Sequence, residues 1–321
     1  MVLHNDILSA VGNTPLVRLN RIGSEHPVEI LAKCEWTNPG GSIKDRIAFA
    51  MIDQAEKAGR IKPGDTLIEA TSGNTGIGLA MAAAVRGYKL VICMPQKMSA
   101  EKQRTMEALG AVIVRTRTEA AHDDPDSNFA IAAKMQRELP NAHILDQWTN
   151  KANAQAHYDG TAREIVEATG GRFTHFVAGA GTGGTLTGCA RRFHDEGLPV
   201  EVIGADPVGS ILGGGEPGPT YHVEGIGYDF IPDTLDRSLV SRWIKTDDKS
   251  AFNLARRLMR EEGLLAGGSS GSAMQAALEV ARDAPAGSRI VVILGDGIRN
   301  YMSKMMDDDW MRSHGFLDDD G

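Results

Sequence analysis

The sequence alternates short apolar segments with longer amphipathic segments along most of its length. Residues 90–94 (LVICM) and 291–294 (VVIL) are apolar on both faces, which is typical of strands that helices cover on both sides. This alternation predicts an α/β fold with a mainly parallel sheet. We predict strands at 29–36, 66–71, 89–94, 111–116, 142–147, 175–178, 200–206 and 289–294. We predict helices at 46–59, 76–86, 100–109, 128–139, 157–169, 185–195, 250–262 and 272–283.

The length of 321 residues suits two domains that share a cleft better than one compact domain. The net charge of −8 argues against a nucleic-acid partner, which requires a basic surface. The three scattered cysteines lack the paired spacing of a disulfide framework or a zinc site, so we expect a cytoplasmic protein without a metal. The N-terminus does not resemble a signal peptide, and we expect no membrane span.

Residues 209–232 interrupt the alternation with a glycine-rich stretch that has no periodic pattern. A loop of this length inside a compact domain is usually either functional or disordered. The aromatic and apolar side chains in the stretch argue against disorder. We therefore expect an ordered loop that contributes to function.

Four glycine-rich turns precede predicted helices, and three of them directly follow an apolar segment. In a parallel sheet, turns from strand to helix gather at the carboxyl edge, where ligands bind. Their backbone amides and the N-terminal ends of the following helices favour anionic groups. The turns at 38–46, 71–76, 179–185 and 267–272 therefore predict a site for an anionic, phosphorylated ligand.

The third of these turns also matches a dinucleotide-binding motif, because residues 179–184 have the pattern G-x-G-x-x-G. Asp206 follows at about the spacing of a ribose-binding acid, so an NAD-dependent oxidoreductase is an alternative function. Against this alternative, Thr182 and Thr185 add hydroxyl groups that suit a single phosphate. A dinucleotide would also leave the other three turns unexplained.

Lys44 follows Gly40, Gly41 and Ser42 at the start of a predicted helix, where Ser42 and Asp45 form a pair typical of a helix N-terminus. A lysine here gains little as a cation from the helix dipole, and a lowered pKa would make its amine a better nucleophile. A solvated surface lysine is the ordinary alternative. An activated amine forms a Schiff base with an aldehyde cofactor. Together with a phosphate turn and an asparagine loop, Lys44 indicates pyridoxal phosphate.

Three motifs occur in order along the chain: PGGSIKDR at 39–46, TSGNTG at 71–76 and GTGGT at 181–185. Together they resemble the cystathionine β-synthase and cysteine synthase family, and the resemblance covers nearly the whole chain. It implies the tryptophan-synthase-β-like fold (fold type II) of pyridoxal-phosphate enzymes, with two three-layer α/β domains and mainly parallel sheets. We expect a smaller, mobile domain over 41–147 and a larger cofactor-binding domain over 1–40 and 148–321.

By this resemblance, Lys44 binds pyridoxal 5′-phosphate as a Schiff base and later moves the Cα proton of the substrate. Asn74 would hydrogen-bond the ring hydroxyl of the cofactor, and Ser269 would face its pyridine nitrogen. A serine hydroxyl does not stabilise a protonated pyridine nitrogen, which favours loss of the β-substituent over transamination. Ser269 would otherwise cap the helix predicted near Ser272, and Ser270 is the neighbouring choice. The resemblance assigns the phosphate to Gly181, Thr182, Gly183, Gly184 and Thr185.

The resemblance also assigns a pocket for the substrate carboxylate, which the amides at a helix start would suit. Helix capping by Thr75 and a plain strand-edge role for Gln147 are the structural alternatives. The residues assigned to this pocket are Thr71, Ser72, Gly73, Thr75 and Gln147.

Within the family, the segment 224–232 (EGIGYDFIP) resembles the cystathionine β-synthase branch, because sulfhydrylases usually lack its Tyr-Asp pair. Gly227 and Tyr228 would then position the second substrate, and Glu224 would contact its amino group. Packing within the loop would explain the presence of Tyr228 nearly as well as a contact with the substrate. Trp148 stands where relatives usually have a smaller aromatic residue, so the resemblance does not determine the shape of the pocket or its donor preference.

The resemblance thus predicts a lyase that joins L-serine, or O-acetyl-L-serine, to homocysteine and forms L-cystathionine. A cysteine synthase that uses O-acetylserine and sulfide has the same cofactor residues and is an alternative. Amino acids are the expected small-molecule partners, and a homodimer is the expected assembly. The chain begins and ends near the catalytic core, so we expect neither the haem nor the nucleotide-sensing domains of some relatives.

Overall fold

The computed structural model describes residues 3–71, 73–96, 98–117 and 124–317. Within these residues, ten strands form two sheets. The strands are β1 (Leu16–Arg18), β2 (Glu29–Cys34), β3 (Thr66–Ala70), β4 (Lys89–Pro95), β5 (Val112–Thr116), β6 (Ala142–Ile144), β7 (His175–Gly179), β8 (Glu201–Pro207), β9 (Arg242–Thr246) and β10 (Arg289–Leu294). The helices are α1 (Lys44–Lys57), α2 (Asn74–Arg86), α3 (Ala100–Ala108), α4 (Asn128–Glu138), α5 (Lys151–Ala156), α6 (Arg163–Thr169), α7 (Gly184–Asp195), α8 (Asp248–Glu262), α9 (Gly268–Asp283) and α10 (Asp308–Ser313).

The larger sheet has the strand order β1-β2-β10-β7-β8-β9, and the smaller sheet has the order β5-β4-β3-β6. All neighbouring strands in these sheets are parallel except β1 and β2. The predicted α/β class with mainly parallel sheets is therefore confirmed. The domain boundaries at 40/41 and 147/148, and the mobility of the smaller domain, stay predictions.

Helices cover both faces of each sheet, so successive side chains along a strand are buried in different cores. In the smaller sheet, Leu67 packs into the core formed with α1 and α2, whereas Ile68 packs into the core formed with α4. In the larger sheet, Val292 packs with α9 and Val291 packs with α7. Each sheet is thus the middle layer of a three-layer α/β arrangement.

Each of the eight predicted strands is present, but β1 and β9 were not predicted. Both lie at an edge of the larger sheet. Edge strands are only partly covered and contain polar residues, such as Arg242 and Lys245 in β9, so they lack a continuous apolar pattern. The strand predicted at 142–147 ends at Ile144, because the chain turns at Asp146.

The helix predictions differ from the structure mainly at their starts. Helix α9 begins at Gly268, four residues before the predicted start, because its first turn consists of glycine and serine. The helix predicted at 157–169 begins instead with α5 and continues through a π-helical turn, His157–Ala162, into α6. The acidic α10 was missed. Among the described residues, no helix is long and apolar enough to cross a membrane.

A buried network of ion pairs holds the start of α1 against the larger sheet. Arg46 donates to Glu35 from Nε at 2.7 Å and from Nη2 at 2.8 Å, and it also donates to both carboxylate oxygens of Glu164 at 2.8 Å. Lys33 donates to Glu164 at 2.6 Å, and Thr14 donates to Glu35 at 2.6 Å. Arg46 and Lys33 hold the pKa of the Glu164 carboxyl down at about 2, although burial opposes this shift.

We predict that Arg46→Met lowers the free energy of unfolding by about 3 kcal/mol or more, because two carboxylates lose their shared partner in a buried place. Arg257→Met is the matched control, since Arg257 pairs with Glu261 on the exposed surface of α8. The control should change the value by less than about 1 kcal/mol. Urea unfolding followed by circular dichroism measures both. Equal effects of the two substitutions would contradict the prediction.

Candidate active site

One cavity receives residues from all four predicted glycine-rich turns. It lies beyond the carboxyl ends of β7 and β10, at the N-terminal ends of α1, α2, α7 and α9, where the topology of a parallel sheet places ligands. The predicted residues on its wall are Lys44, Asn74, Thr75, Gln147, Gly181, Thr182, Gly183, Thr185, Tyr228 and Ser269.

The other predicted residues that the structure describes lie around this wall rather than on it. Thr71 is buried beneath it, and its hydroxyl accepts a hydrogen bond from the amide of Gly73 at 3.3 Å. The amide of Gly227 donates to the carbonyl of Ala180 at 2.7 Å. Gly184 packs against Asn153. Ser72 lies outside the described residues.

Lys44 begins α1, and its half-buried side chain lines the cavity. Burial lowers the pKa of its amine, Asp296 opposes this shift, and the charge of Lys102 adds to it. The direction agrees with the expected lowered pKa, but burial rather than the helix end is the main cause. The pairing of Ser42 with Asp45 was wrong: Ser42 Oγ accepts from the Lys44 amide at 3.1 Å, whereas Asp45 reaches past Ser42 to the Gly40 amide at 2.6 Å.

The turn before α7 approaches its neighbours so closely that only glycine fits. Gly183 has a φ of 84°, and a Cβ added there would lie 2.3 Å from Cβ of Leu235. A Cβ on Gly184 would lie 1.9 Å from Oδ1 of Asn153. The first amides of a helix have no partner within the helix, so this turn offers donors and positive potential to an anion.

Two side chains that the sequence did not indicate support the threonines of this turn. Asn153 in α5 donates from Nδ2 to Thr182 Oγ1 at 2.9 Å and to the carbonyl of Gln147 at 2.7 Å. His157 Nε2 lies 3.3 Å from Thr185 Oγ1. Burial lowers the pKa of His157 well below its ordinary value, so the imidazole is neutral. Asn153 lies outside the predicted elements, and His157 is the first residue of the helix predicted at 157–169, but no motif marked either of them as a functional residue.

Ser269 lies on the cavity wall, whereas the hydroxyl of its buried neighbour Ser270 donates to the carbonyl of Asp296 at 3.4 Å. The capping role considered for Ser269 is wrong. Helix α9 has Gly267 at its N-cap, and Ser269 is already inside the first helical turn.

Asn74 lines the cavity, but its side chain already has partners in the chain. Its Nδ2 donates to Asp296 at 2.8 Å, and its Oδ1 accepts from Asn300 at 3.1 Å. Asp296 also accepts from the hydroxyl of Tyr301 at 2.5 Å. Burial raises the pKa of Asp296, so this network places a carboxyl with a reduced tendency to ionise beside the cavity.

Glu224 does not line the cavity. Its carboxylate accepts from Lys102 at 2.7 Å and from Lys304 at 2.5 Å, and Lys102 is almost fully buried. Burial alone would raise the pKa of Glu224, but the two ammonium groups hold it below its ordinary value. The predicted contact of Glu224 with a second substrate therefore stays a prediction.

Tyr228 brings the long loop 209–232 to the cavity wall. The loop is anchored by the buried side chains of Val223 and Ile226. The ring of Tyr228 packs edge-on against Trp148, with ring centroids 4.6 Å apart, so Trp148 shapes this side of the cavity. The expected order of the loop is confirmed.

Asp206 argues against the dinucleotide alternative. This fully buried residue near the end of β8 accepts from Lys245 Nζ at 2.6 Å and from the Gly213 amide at 2.8 Å. Its carboxylate is therefore engaged with the segment after β8 rather than with the glycine-rich turn. It is also absent from the wall of the cavity, as the described residues form it.

The wall fits pyridoxal phosphate by its chemistry. It offers an amine with a lowered pKa at Lys44, an anion-binding turn at 181–185 and a hydroxyl at Ser269. The glycines of this turn have no side chains that could cover its backbone amides, which are therefore accessible to a phosphate.

A family model described as pyridoxal-phosphate dependent enzyme matches residues 7–296. The chain therefore belongs to the pyridoxal-phosphate dependent enzyme family, and pyridoxal phosphate is its cofactor. The alternative of an NAD-dependent oxidoreductase is wrong.

Within this family, the chain is 54% identical over 321 residues to the cystathionine β-synthase of Dictyostelium discoideum, which covers 99% of this chain and 64% of that protein. It thus spans less than two thirds of that relative. It is 42% identical over 306 residues to the O-acetylserine dependent cystathionine β-synthase of Bacillus subtilis, covering 95% of this chain and 98% of that protein. The solved O-acetylserine dependent cystathionine β-synthase of Helicobacter pylori superposes with a TM-score of 0.89 at 38% identity, over 95% of this chain and 99% of that chain. The predicted resemblance is confirmed.

We predict that Gly183→Ala lowers the affinity for pyridoxal phosphate about 10-fold or more, because the new Cβ displaces the turn and strains its backbone. The matched control is Gly197→Ala at the other end of α7, where φ is 66° and no atom lies within 4 Å of the added Cβ. Titration of cofactor-free protein with pyridoxal phosphate, followed by absorbance, measures the affinity. An unchanged affinity in Gly183→Ala, or an equal loss in both variants, would refute this role of the turn.

Proposed function

We propose that this protein is a pyridoxal-phosphate-dependent cystathionine β-synthase. It replaces the hydroxyl of L-serine, or the acetoxy group of O-acetyl-L-serine, with the sulfur of homocysteine. The observation that carries the proposal is the cavity in which Lys44 meets the anion-binding turn and Ser269. Support for the substrates comes from relatives named for this activity, two of which are O-acetylserine dependent and match nearly their whole length.

The cofactor residues have distinct tasks in this proposal. Lys44 would bind the aldehyde carbon of pyridoxal phosphate, residues 181–185 would hold its phosphate, and Ser269 would face its pyridine nitrogen. Asn74 would hydrogen-bond the ring hydroxyl, and Asp296 and Asn300 fix the side-chain amide of Asn74. When bound, pyridoxal phosphate withdraws electrons from the substrate Cα and so makes the Cα proton acidic.

The donor amino acid binds by its carboxylate at the start of α2. The residues that the proposal assigns to this pocket are Thr71, Ser72, Gly73, Thr75 and Gln147. Thr75 Oγ1 donates to Gln147 Oε1 at 2.6 Å, which fixes the side of the pocket that faces the cavity. The N-terminal end of α2 adds free amides and a positive potential for the carboxylate.

Lys44 then acts as the base and the acid of the reaction. The amino group of the donor would replace Lys44 on the cofactor and so release the Lys44 amine. Burial lowers the pKa of this amine, so a larger fraction is neutral and able to accept the Cα proton. The bond from Cβ to oxygen breaks, and the oxygen leaves with the electron pair. The thiolate of homocysteine forms the new bond to Cβ, and Lys44 returns the proton to Cα. Exclusion of water from the closed cavity prevents water, instead of the thiol, from reacting with the donor after its oxygen has left.

The second substrate approaches from the loop side of the cavity. Gly227 and Tyr228 position it, and Glu224 lies behind them as the candidate partner for its amino group. Trp148 supports Tyr228 from the outside of the wall through the contact between their rings. A side chain as long as that of homocysteine fits this proposal better than sulfide, because sulfide needs no positioning.

Absorbance tests the cofactor step. We predict a band at about 410 nm in the protein reconstituted with pyridoxal phosphate, as for other lysine Schiff bases of this cofactor. Lys44→Ala should lose this band and all turnover, while Lys304→Ala, a lysine outside the cavity wall, keeps the band. No band in the unsubstituted protein would end the proposal.

Product analysis tests the substrates. We predict cystathionine from homocysteine with L-serine or O-acetyl-L-serine, and at least about 10-fold lower kcat/KM with sulfide in place of homocysteine. Mass spectrometry of the four combinations of donor and thiol identifies the products. Cysteine formed from O-acetylserine and sulfide at the higher rate would identify a cysteine synthase instead.

The proposal includes a homodimer in the cytoplasm. All three cysteines are buried and unpaired, and burial raises the pKa of the Cys34 and Cys93 thiols, which suits a reducing compartment. The homodimer is taken from the family resemblance. Analytical ultracentrifugation measures the assembly directly, and a monomer would remove this part of the proposal.

A further inference from the structure

Glu69 is a buried carboxylate to which the proposed mechanism gives no task. It lies in β3 and is 1% exposed. Its two oxygens accept backbone hydrogen bonds from the chain that follows β6: Oε1 from the Gln147 amide at 2.9 Å and Oε2 from the Asp146 amide at 3.1 Å. Glu69 therefore clamps two successive amides of a turn.

This turn has a backbone conformation that differs from the strand before it. Asp146 has a φ of 59°, in the left-handed region, which aspartate adopts more often than most residues other than glycine. Its own carboxylate accepts from the Trp148 amide at 3.1 Å and from the Thr149 hydroxyl at 2.6 Å. Without the turn, the chain would continue as the extended strand that its sequence favours.

The turn directs Gln147 into the active site. Gln147 Oε1 accepts from Thr75 at 2.6 Å, and its Nε2 donates to the carbonyl of Ala70 at 3.3 Å. Both Gln147 and Thr75 lie on the cavity wall, whereas Glu69 does not. A shift of the turn would therefore move a wall residue directly. The glycine-rich turn at 181–185 would be affected only indirectly, through Asn153, which donates to both the Gln147 carbonyl and Thr182.

Burial by itself disfavours a charged carboxylate at this position. Burial raises the pKa of Glu69 to about 7, the negative charge of Asp146 adds to this, and the backbone amides oppose it. A carboxylate is the side chain that offers one acceptor oxygen to each of two neighbouring amides. A glutamine of the same shape would leave one amide facing its NH₂ group.

We propose that Glu69 is a positioning residue for the donor amino acid: by clamping the turn at Asp146 and Gln147, it holds Gln147 and Thr75 in the geometry that binds the donor carboxylate. This inference rests on the proposed function, which assigns that carboxylate to the Thr75 and Gln147 pocket.

The test is Glu69→Gln, with Glu262→Gln as the matched control. Glu262 also accepts hydrogen bonds from successive backbone amides, those of Asn20, Arg21 and Ile22, and none of these residues lines the cavity. Glu69→Gln leaves one buried amide of the turn without an acceptor. It should therefore raise about 10-fold the donor concentration that gives a half-maximal change in cofactor absorbance. Cofactor affinity and the KM for the thiol should stay within about 2-fold, and Glu262→Gln should change none of the three.

The donor response is read as the change in cofactor absorbance on titration with L-serine or O-acetyl-L-serine, without any thiol. This readout separates the inference from the proposed function: if the unsubstituted protein responds to the donor but forms no cystathionine, the proposed function fails and the inference is still tested. An unchanged donor titration in Glu69→Gln, or an equal change in donor, thiol and cofactor binding, would overturn the inference.

A double-mutant cycle tests whether Glu69 acts through Gln147. In a Gln147→Ala background, Glu69→Gln should raise the donor concentration for half-maximal response by less than about 2-fold, because the side chain that Glu69 positions is gone. Full additivity of the two effects would overturn the inference. If Glu69→Gln does not fold, as judged by circular dichroism, Glu69→Asp gives the same comparison, because its shorter side chain cannot reach both amides.

Discussion

The active site depends on the way Arg46 is held between Glu35 and Glu164. Arg46 lies two residues after Lys44, in a helix that packs into the core of the smaller sheet. Of its two carboxylate partners, Glu35 follows β2 of the larger sheet and Glu164 lies in α6. Because this guanidinium has bidentate partners on both sides in a buried place, α1 has one well-defined position relative to both sheets. The position of the Lys44 amine follows from it.

A second set of polar contacts, centred on Asp296 and Glu224, lies near the cavity. Asp296 binds Asn74 and Tyr301, and Glu224 binds Lys102 and Lys304. These contacts join α2 and α3 to the C-terminal segment and to the long loop. Many of the charged and polar groups near the cavity are thus already paired within the chain. Lys44 belongs to neither set of contacts, and burial lowers the pKa of its amine.

The motifs of the sequence predicted many of the residues that line the cavity. Gly183 and Lys44 were recognisable because tight turns and helix starts impose local requirements on residue type. Asn153, His157 and Glu69 were not recognisable, because their roles arise from contacts with residues distant in the chain. Edge strands such as β9 were missed for a related reason: their polarity reflects partial solvent exposure, which depends on the complete sheet.

The sequence by itself determined the α/β class, the parallel order of strand and helix, and the glycine-rich turns that come together at the carboxyl edge. These features follow from local periodicity and from the few conformations that glycine allows. The tertiary structure alone decided which serine of α9 faces the cavity, where the strand after residue 142 ends, and which carboxylates pair with which cations. Such choices depend on burial and on distances between separate elements, and no local pattern along the chain encodes them.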